Sequence, residues 1–254
     1  MAATNDEILQ LYRRCAGRYD LWVRLLRLLG LDLGRYRQET IEALNLRPGD
    51  VVVELGCGTG LNFPYVLQRI GPAGRLIGVD LTDAMLDVAR DRAARAGWPN
   101  VTLVQADLAD YTVPDGVDAV YSTLALTLSP EYDAVVERAS RAISPGGRIA
   151  VLDLKRPTGW PEPLVRLAAW LNKPFGVSLD LAERHPWESI RRNLTETTFH
   201  EYYFGALYLC AGRRQALPSQ PGMPDVTRDL TRALQRAGTA PDSGTKGSDR
   251  MSRR

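Results

Sequence analysis

The stretch VVVELGCGTG, Val51 to Gly60, constrains this chain more than any other. Three β-branched residues followed by Glu54 read as a strand. The glycines at 56, 58 and 60 then leave a turn with almost no side-chain bulk, ahead of a helix expected from near Leu61. Such a turn lets backbone approach a flat or extended ligand closely. The same strand character recurs in RLIGVD (75–80), VTLVQAD (101–107), VDAVYST (117–123) and RIAVLDL (148–154), separated by helically spaced segments such as TDAMLDVARDRAARAG. Turn sequences (RPGD, GPAG, GWPN, SPGG) precede the first, second, third and fifth of these runs. The alternation predicts an α/β fold built on a doubly wound, mostly parallel sheet. Beyond Pro157 it breaks: residues 161–194 read as two helices that cover a ligand, followed by an extended pair, TTFHEYYFG and ALYLCAG, which brings the strands to seven.

Length and composition bound the rest. At 254 residues and 44% hydrophobic, the chain buries one substantial core. The expected division is an N-terminal helical cap over 1–47, a core over 48–213 with lid helices at 161–194, and a Pro-, Gly-, Ser- and Thr-rich tail over 214–254 that is largely disordered. The net charge is +2, but the tail carries eight basic against four acidic residues, so the first 213 residues stand at −2. That balance argues against a nucleic-acid partner. Cys15, Cys57 and Cys210 are too few and too dispersed for a disulfide framework or a zinc ribbon, and no metal is expected. The polar opening MAATNDEILQ is no signal peptide, and no apolar run reaches the roughly 18 residues that span a bilayer, so a cytoplasmic protein is expected.

The acidic residues identify the ligand class. Asp80 closes the second strand 24 residues after Gly56, where a carboxylate accepts both hydroxyls of a ribose. A dinucleotide prefers G-x-G-x-x-G, whereas the spacing here is G-x-G-x-G with Glu54 just before it. A carboxylate there repels a pyrophosphate and suits a ligand bearing an ammonium and a sulfonium, which favours S-adenosyl-L-methionine. Asp107, at the end of the third strand, is placed for an adenine amino group, with Met85 packing on the ring. Asp is also a preferred helix cap, which is an equal reading of Asp107 alone.

With these residues in view, the chain resembles the class I S-adenosylmethionine-dependent methyltransferases over about residues 12–211. ELGCGTG (54–60), GVD (78–80), QAD (105–107), VDAVYST and SPGGRIAVLDLKRP (144–157) carry the resemblance. RYD (18–20), the late VLDLKRP and RHP (184–186) are most similar to the ubiquinone/menaquinone (UbiE-like) C-methyltransferase branch, while GTGLNF and STLALTLS also resemble methyltransferases of lipids and thiols. The segment before the sixth strand lacks that branch's Ala-Gly-Phe turn. The resemblance implies a Rossmann-like sheet and a cofactor site made by Tyr19, Glu54, Gly56, Cys57, Gly58, Gly60, Asp80, Leu81, Met85, Asp107, Leu108 and Ser122. Tyr19 would close over the methionine end. Taken by itself, Cys57 reads as a small buried residue.

Methyl transfer needs alignment, desolvation and, for some acceptors, a base. His185, before Pro186 at a helix start, is the candidate base for a phenolic or thiol acceptor; a local hydrogen bond at the helix start is the competing role. DLWVRLLRLLG (20–30) and EPLVRLAAWLNKPFG (162–176) are apolar with isolated basic residues, as suits a cover over an apolar pocket, peripheral contact with the inner membrane surface, or ordinary packing on the sheet. The expected activity is methyl transfer to a small lipophilic acceptor: a quinol, phenol, thiol or lipid headgroup. A noncatalytic S-adenosylmethionine-binding protein and a nicotinamide-dependent oxidoreductase are the alternatives.

Overall fold

The computed structural model describes residues 9–10, 12–13, 16–17, 19–21, 23, 25, 32–172, 181 and 183–215, with backbone alone at 168 and 170–172. Cys15, much of the 20–30 segment, the centre of the expected lid at 173–180 and the tail from 216 onward lie outside the described residues.

Seven strands form one sheet: β1 (Val51–Leu55), β2 (Arg75–Asp80), β3 (Val101–Gln105), β4 (Val117–Thr123), β5 (Ile143–Leu154), β6 (Thr195–Tyr202) and β7 (Leu207–Arg213). Their spatial order is β3-β2-β1-β4-β5-β7-β6. The first five are parallel, and β7 pairs antiparallel with both β5 and β6. The chain runs outward from β1 to β3, then returns to lay β4 against the other side of β1. The carboxyl ends of β1 and β4 therefore flank the point at which strand order reverses, where open α/β sheets leave a crevice.

Alternation along the strands builds a core on each face of the sheet. Val53, Val79, Val120 and Ile149 face one side, with Val135, Val136 and Ile190 from helices; Val52, Leu76, Ala119 and Tyr121 face the other, with Phe63, Val66 and Ile70. Helix α1 (Leu33–Ala43) sends Leu33 and Tyr36 onto Leu152, Leu207 and Leu209. Helix α2 (Phe63–Ile70) buries Phe63, Val66, Leu67 and Ile70, the spacing of a single helical stripe. Helix α3 (Asp83–Ala96) stops at Gly97 in the left-handed conformation, and α4 (Tyr132–Ala142) follows β4. Helices α5 (Glu162–Asn172) and α6 (Pro186–Asn193) occupy the insertion before the final hairpin.

The described residues between 9 and 25 are helical and tied to α3. Arg13 donates twice to Asp83 (2.7 and 2.8 Å), and Asp20 accepts from Thr59 Oγ1 (2.7 Å) and pairs with Arg92. At the other end of the core, Arg214 continues the β7 pairing: its N–H donates to the Gly147 carbonyl and its own carbonyl accepts from Gly146.

Helix α6 lies close to β7 because Gly212 has no side chain; a Cβ there would sit 2.8 Å from Leu194 Cβ and 3.1 Å from Ile190 Cγ2. Ile190 is fully buried in that contact. Truncation of Ile190 to Ala is expected to cost about 2–5 kcal/mol in urea unfolding, the range for a large core side chain that leaves a cavity.

Candidate active site

A cavity opens at the reversal point, between the loop after β1 and the turn after β4. The glycine loop forms its floor. Gly56 and Cys57 donate N–H groups to the Val79 carbonyl (2.8 and 2.9 Å), which fastens the loop to β2. Gly56 has φ +74°, and a Cβ there would lie 2.2 Å from Ala125 Cβ, so no other residue lets the two loops meet. Gly58 (φ +53°) has no atom within 4 Å of a built Cβ and forms part of the cavity wall.

Asp80 and Asp107 stand in that wall. Each Asp80 oxygen accepts one backbone N–H, Oδ1 from Thr82 and Oδ2 from Gly58, both at 2.8 Å. Burial pushes this carboxyl above its ordinary value, and those two N–H donors oppose the shift. A carboxylate oxygen has a second lone pair, so this arrangement orients the group while leaving it capacity to accept from a ligand. Asp107 Oδ1 accepts from Ala109 N–H (2.9 Å), so the residue shapes its own turn and also faces the cavity. Leu81, Met85 and Leu108 supply apolar wall between the two carboxylates, and Tyr12 and Tyr19 line the cavity from the N-terminal helical segment.

Glu54 lies beneath the glycine loop and is 0% exposed. Its carboxyl accepts from Asn62 Nδ2 and from Tyr121 Oη (2.6 Å); Asn62 Nδ2 also donates to Thr123 Oγ1 (2.8 Å), and Arg37 Nη1 reaches Asn62 Oδ1 (3.0 Å) and Thr123 Oγ1 (3.1 Å). Asn62 occupies the N-cap position of α2 without capping it, because its amide is committed to this network. Burial raises the Glu54 carboxyl to about 7, against the opposing hydrogen bonds from Tyr121 and Asn62 and the charge of Arg37.

The far wall is Thr123, Leu124, Ala125, Leu128 and Ser129. Leu124 has φ +58°, a strained value for a branched residue, and a single 3₁₀ turn (Leu126–Leu128) follows it. Asp153 Oδ2 accepts the Thr127 N–H (2.9 Å), and Arg184 Nη1 donates to the Thr127 and Leu128 carbonyls (2.7 Å each).

The structure thus gathers Tyr19, Gly56, Gly58, Asp80, Leu81, Met85, Asp107 and Leu108 around one cavity. It sets five other expected residues outside the wall. Glu54 lies beneath the loop, bonded to Asn62 and Tyr121. Cys57 packs in the core against Gly78. Gly60 (φ +75°) turns the chain against Phe63. Ser122 is buried within β4. His185 forms the N-cap position of α6, with Nδ1 3.4 Å from Glu188 and its ring 4.6 Å from Trp187. Tyr12, Thr82 and the 123–129 turn are wall residues that sequence reasoning passed over; STLALTLS was the available signal. The cavity also fits S-adenosylmethionine: a bulk-free floor, a carboxylate held by two amides, and apolar side chains in the same wall as a second carboxylate.

Comparisons agree with the geometry. A family model for a methyltransferase domain matches residues 52–147. An arsenite methyltransferase from Halobacterium salinarum is 32% identical over 134 residues, 52% of this chain and 34% of its own. A demethylmenaquinone methyltransferase from Listeria monocytogenes is 28% identical over 145 residues, 56% of this chain and 61% of its own. A geranyl diphosphate C-methyltransferase from Streptomyces coelicolor superposes with TM-score 0.57 at 19% identity, over 71% of this chain and 79% of that one, and so shares the fold. The matched regions span about a third to three fifths of the curated relatives' length. Residues 52–147 thus match a methyltransferase domain, and the sheet order and cavity are consistent with S-adenosylmethionine as its cofactor. A UbiE ubiquinone/menaquinone biosynthesis C-methyltransferase from Pseudomonas putida is similar as well, 30% identical over 154 residues, 60% of this chain and 59% of its own.

Below about pH 4.5 Glu54 is protonated in both folded and unfolded chains; as pH rises toward about 7 only the folded chain keeps the proton. The stability from that raised value is therefore present at low pH and lost as pH rises through about 7, a change of about 3 kcal/mol. Asp153, raised by burial to about 6, adds a loss of the same sign. Urea unfolding at about pH 5 and about pH 8 is expected to show wild type losing more stability than Glu54→Gln, which keeps the components of Asp153 and Asp80, both raised by burial.

Proposed function

We propose that the chain transfers a methyl group from S-adenosylmethionine to a small lipophilic acceptor carrying a hydroxyl or thiol, with quinol-type acceptors foremost. The observation that carries this reading is the composition of the cavity wall: Asp80 and Asp107, at and just beyond the ends of β2 and β3, share it with Leu124, Ala125 and Leu128 after β4 and with Tyr12 and Tyr19 from the N-terminal segment. In this reading Asp80 accepts the ribose hydroxyls, Asp107 accepts from the adenine amino group, and Met85 and Leu108 flank the ring. The bound cofactor supplies an electrophilic methyl on sulfonium sulfur. The chain holds the acceptor in line with it and excludes water, as Tyr12, Tyr19 and the 124–129 turn are positioned to do. Ser129 Oγ is buried in that wall without a hydrogen-bond partner among the described residues, which supports an acceptor with one polar group on an apolar body.

Exposed Leu21, Leu25, Leu164, Leu167 and Phe204 support a lipophilic acceptor drawn from a membrane surface; the described residues include no helix long and apolar enough to cross one. Names borne by the relatives set the test panel. Purified protein with labelled S-adenosylmethionine is expected to label demethylmenaquinol or an extracted cell lipid; transfer to arsenite alone, or to nothing, would contradict the reading. Asp80→Ala is expected to weaken S-adenosylhomocysteine binding by about 1.5–3 kcal/mol, the range for hydrogen bonds to a charged group, with the fold intact. Unchanged affinity by calorimetry would remove Asp80 from the site.

A further inference from the structure

We propose that Arg184 is a positioning residue: it clamps the 124–129 turn, the acceptor-side wall, to the segment that leads into α6. The proposal rests on the reading of that wall given above. Four observations carry it. First, the turn is short and strained: one 3₁₀ turn after a residue at φ +58°, held by Leu128 N–H to the Ala125 carbonyl (3.0 Å) and Ser129 N–H to the Leu126 carbonyl (3.1 Å). A single such turn is a weak element that needs outside partners. Second, those partners are charged and come from opposite ends. Buried Asp153 at the end of β5 takes the Thr127 N–H, and Arg184 takes the Thr127 and Leu128 carbonyls from one nitrogen, both at 2.7 Å. A cation on the carbonyl end of a turn and an anion on its N–H end both follow the backbone dipoles. Third, the turn cannot drift toward the cofactor, because Ala125 already meets Gly56 at the limit of approach. Loss of the clamp would therefore move the wall away from the glycine loop and widen the acceptor side alone. Fourth, the neighbouring His185 is turned to Glu188 and Trp187, which leaves Arg184 as the member of its RHP motif that reaches the wall.

The test uses full-length wild type, Arg184→Met, which keeps length without donors, and Arg184→Lys, which keeps charge with shorter reach. Each is saturated with S-adenosylhomocysteine and followed by hydrogen exchange. Amides of residues 127–129 are expected to exchange about tenfold faster in Arg184→Met and by an intermediate factor in Arg184→Lys. Exchange in β1 and β2 and calorimetric affinity for S-adenosylhomocysteine should be unchanged. With demethylmenaquinol, KM for the acceptor should rise about tenfold while KM for S-adenosylmethionine stays. Wild-type exchange at 127–129 in Arg184→Met would overturn the clamp. So would a uniform rise across the sheet or a parallel loss of cofactor affinity. Failure of wild type to methylate any acceptor, with the exchange pattern as expected, would overturn the acceptor reading and leave the clamp standing.

Discussion

The buried carboxyl of Glu54 governs the site without entering it. A glycine-rich loop has little side-chain packing to fix its shape, so something beneath it must. Here Glu54 gathers Asn62 from the start of α2 and Tyr121 from β4, and through Asn62 the guanidinium of Arg37 from α1. Four elements are thereby referred to one point under the loop. Removing an ionisable group from water is costly, and the rise of this carboxyl to about 7 is the sign of that cost. The return is a floor whose backbone N–H groups stand at fixed positions relative to Asp80.

Above the floor, polar and apolar requirements are separated along the sheet. β2 and β3 end in the carboxylates Asp80 and, two residues beyond β3, Asp107, while β4 ends in an apolar turn. Strand order puts β1 between β2 and β4, so the glycine loop is shared by both halves. In the proposed reading, a reactive group bound across the loop meets an acceptor held by the turn. Tyr12 and Tyr19 then close the cavity from a segment fastened by Arg13–Asp83 and by Asp20 with Thr59 and Arg92.

Much of this architecture is legible in the sequence. Strands buried on both faces are written as β-branched runs, and a helix follows a glycine turn whatever the ligand, so five parallel strands and the final hairpin could be read directly. Asp80 and Asp107 were legible because strand ends converge at one edge. The burial of Glu54 beneath the loop is not legible in the same way: the alternation of a strand says which residues share a face, and the last residues before a loop face core or cavity according to how the loop turns. Its partners Arg37 and Asn62 lie 17 residues before and eight after it, and no local pattern marks either. His185, the expected base, stands at the N-cap position of α6 beside Glu188 and Trp187, and no pattern in the sequence says which side chain at a helix start faces the helix and which faces the wall.

In the proposed division of labour Asp80 and Asp107 meet the cofactor, the 124–129 turn meets the acceptor, and Glu54 meets neither. An experimental structure of the full chain with S-adenosylhomocysteine tests it most directly. The account predicts ribose hydroxyls on Asp80, the adenine amino group on Asp107, the sulfur directed at Leu124–Ser129, and Glu54 still bonded to Asn62 and Tyr121 beneath the loop. A ligand amino group seated on Glu54, or a nucleoside bound away from Asp80, would contradict it.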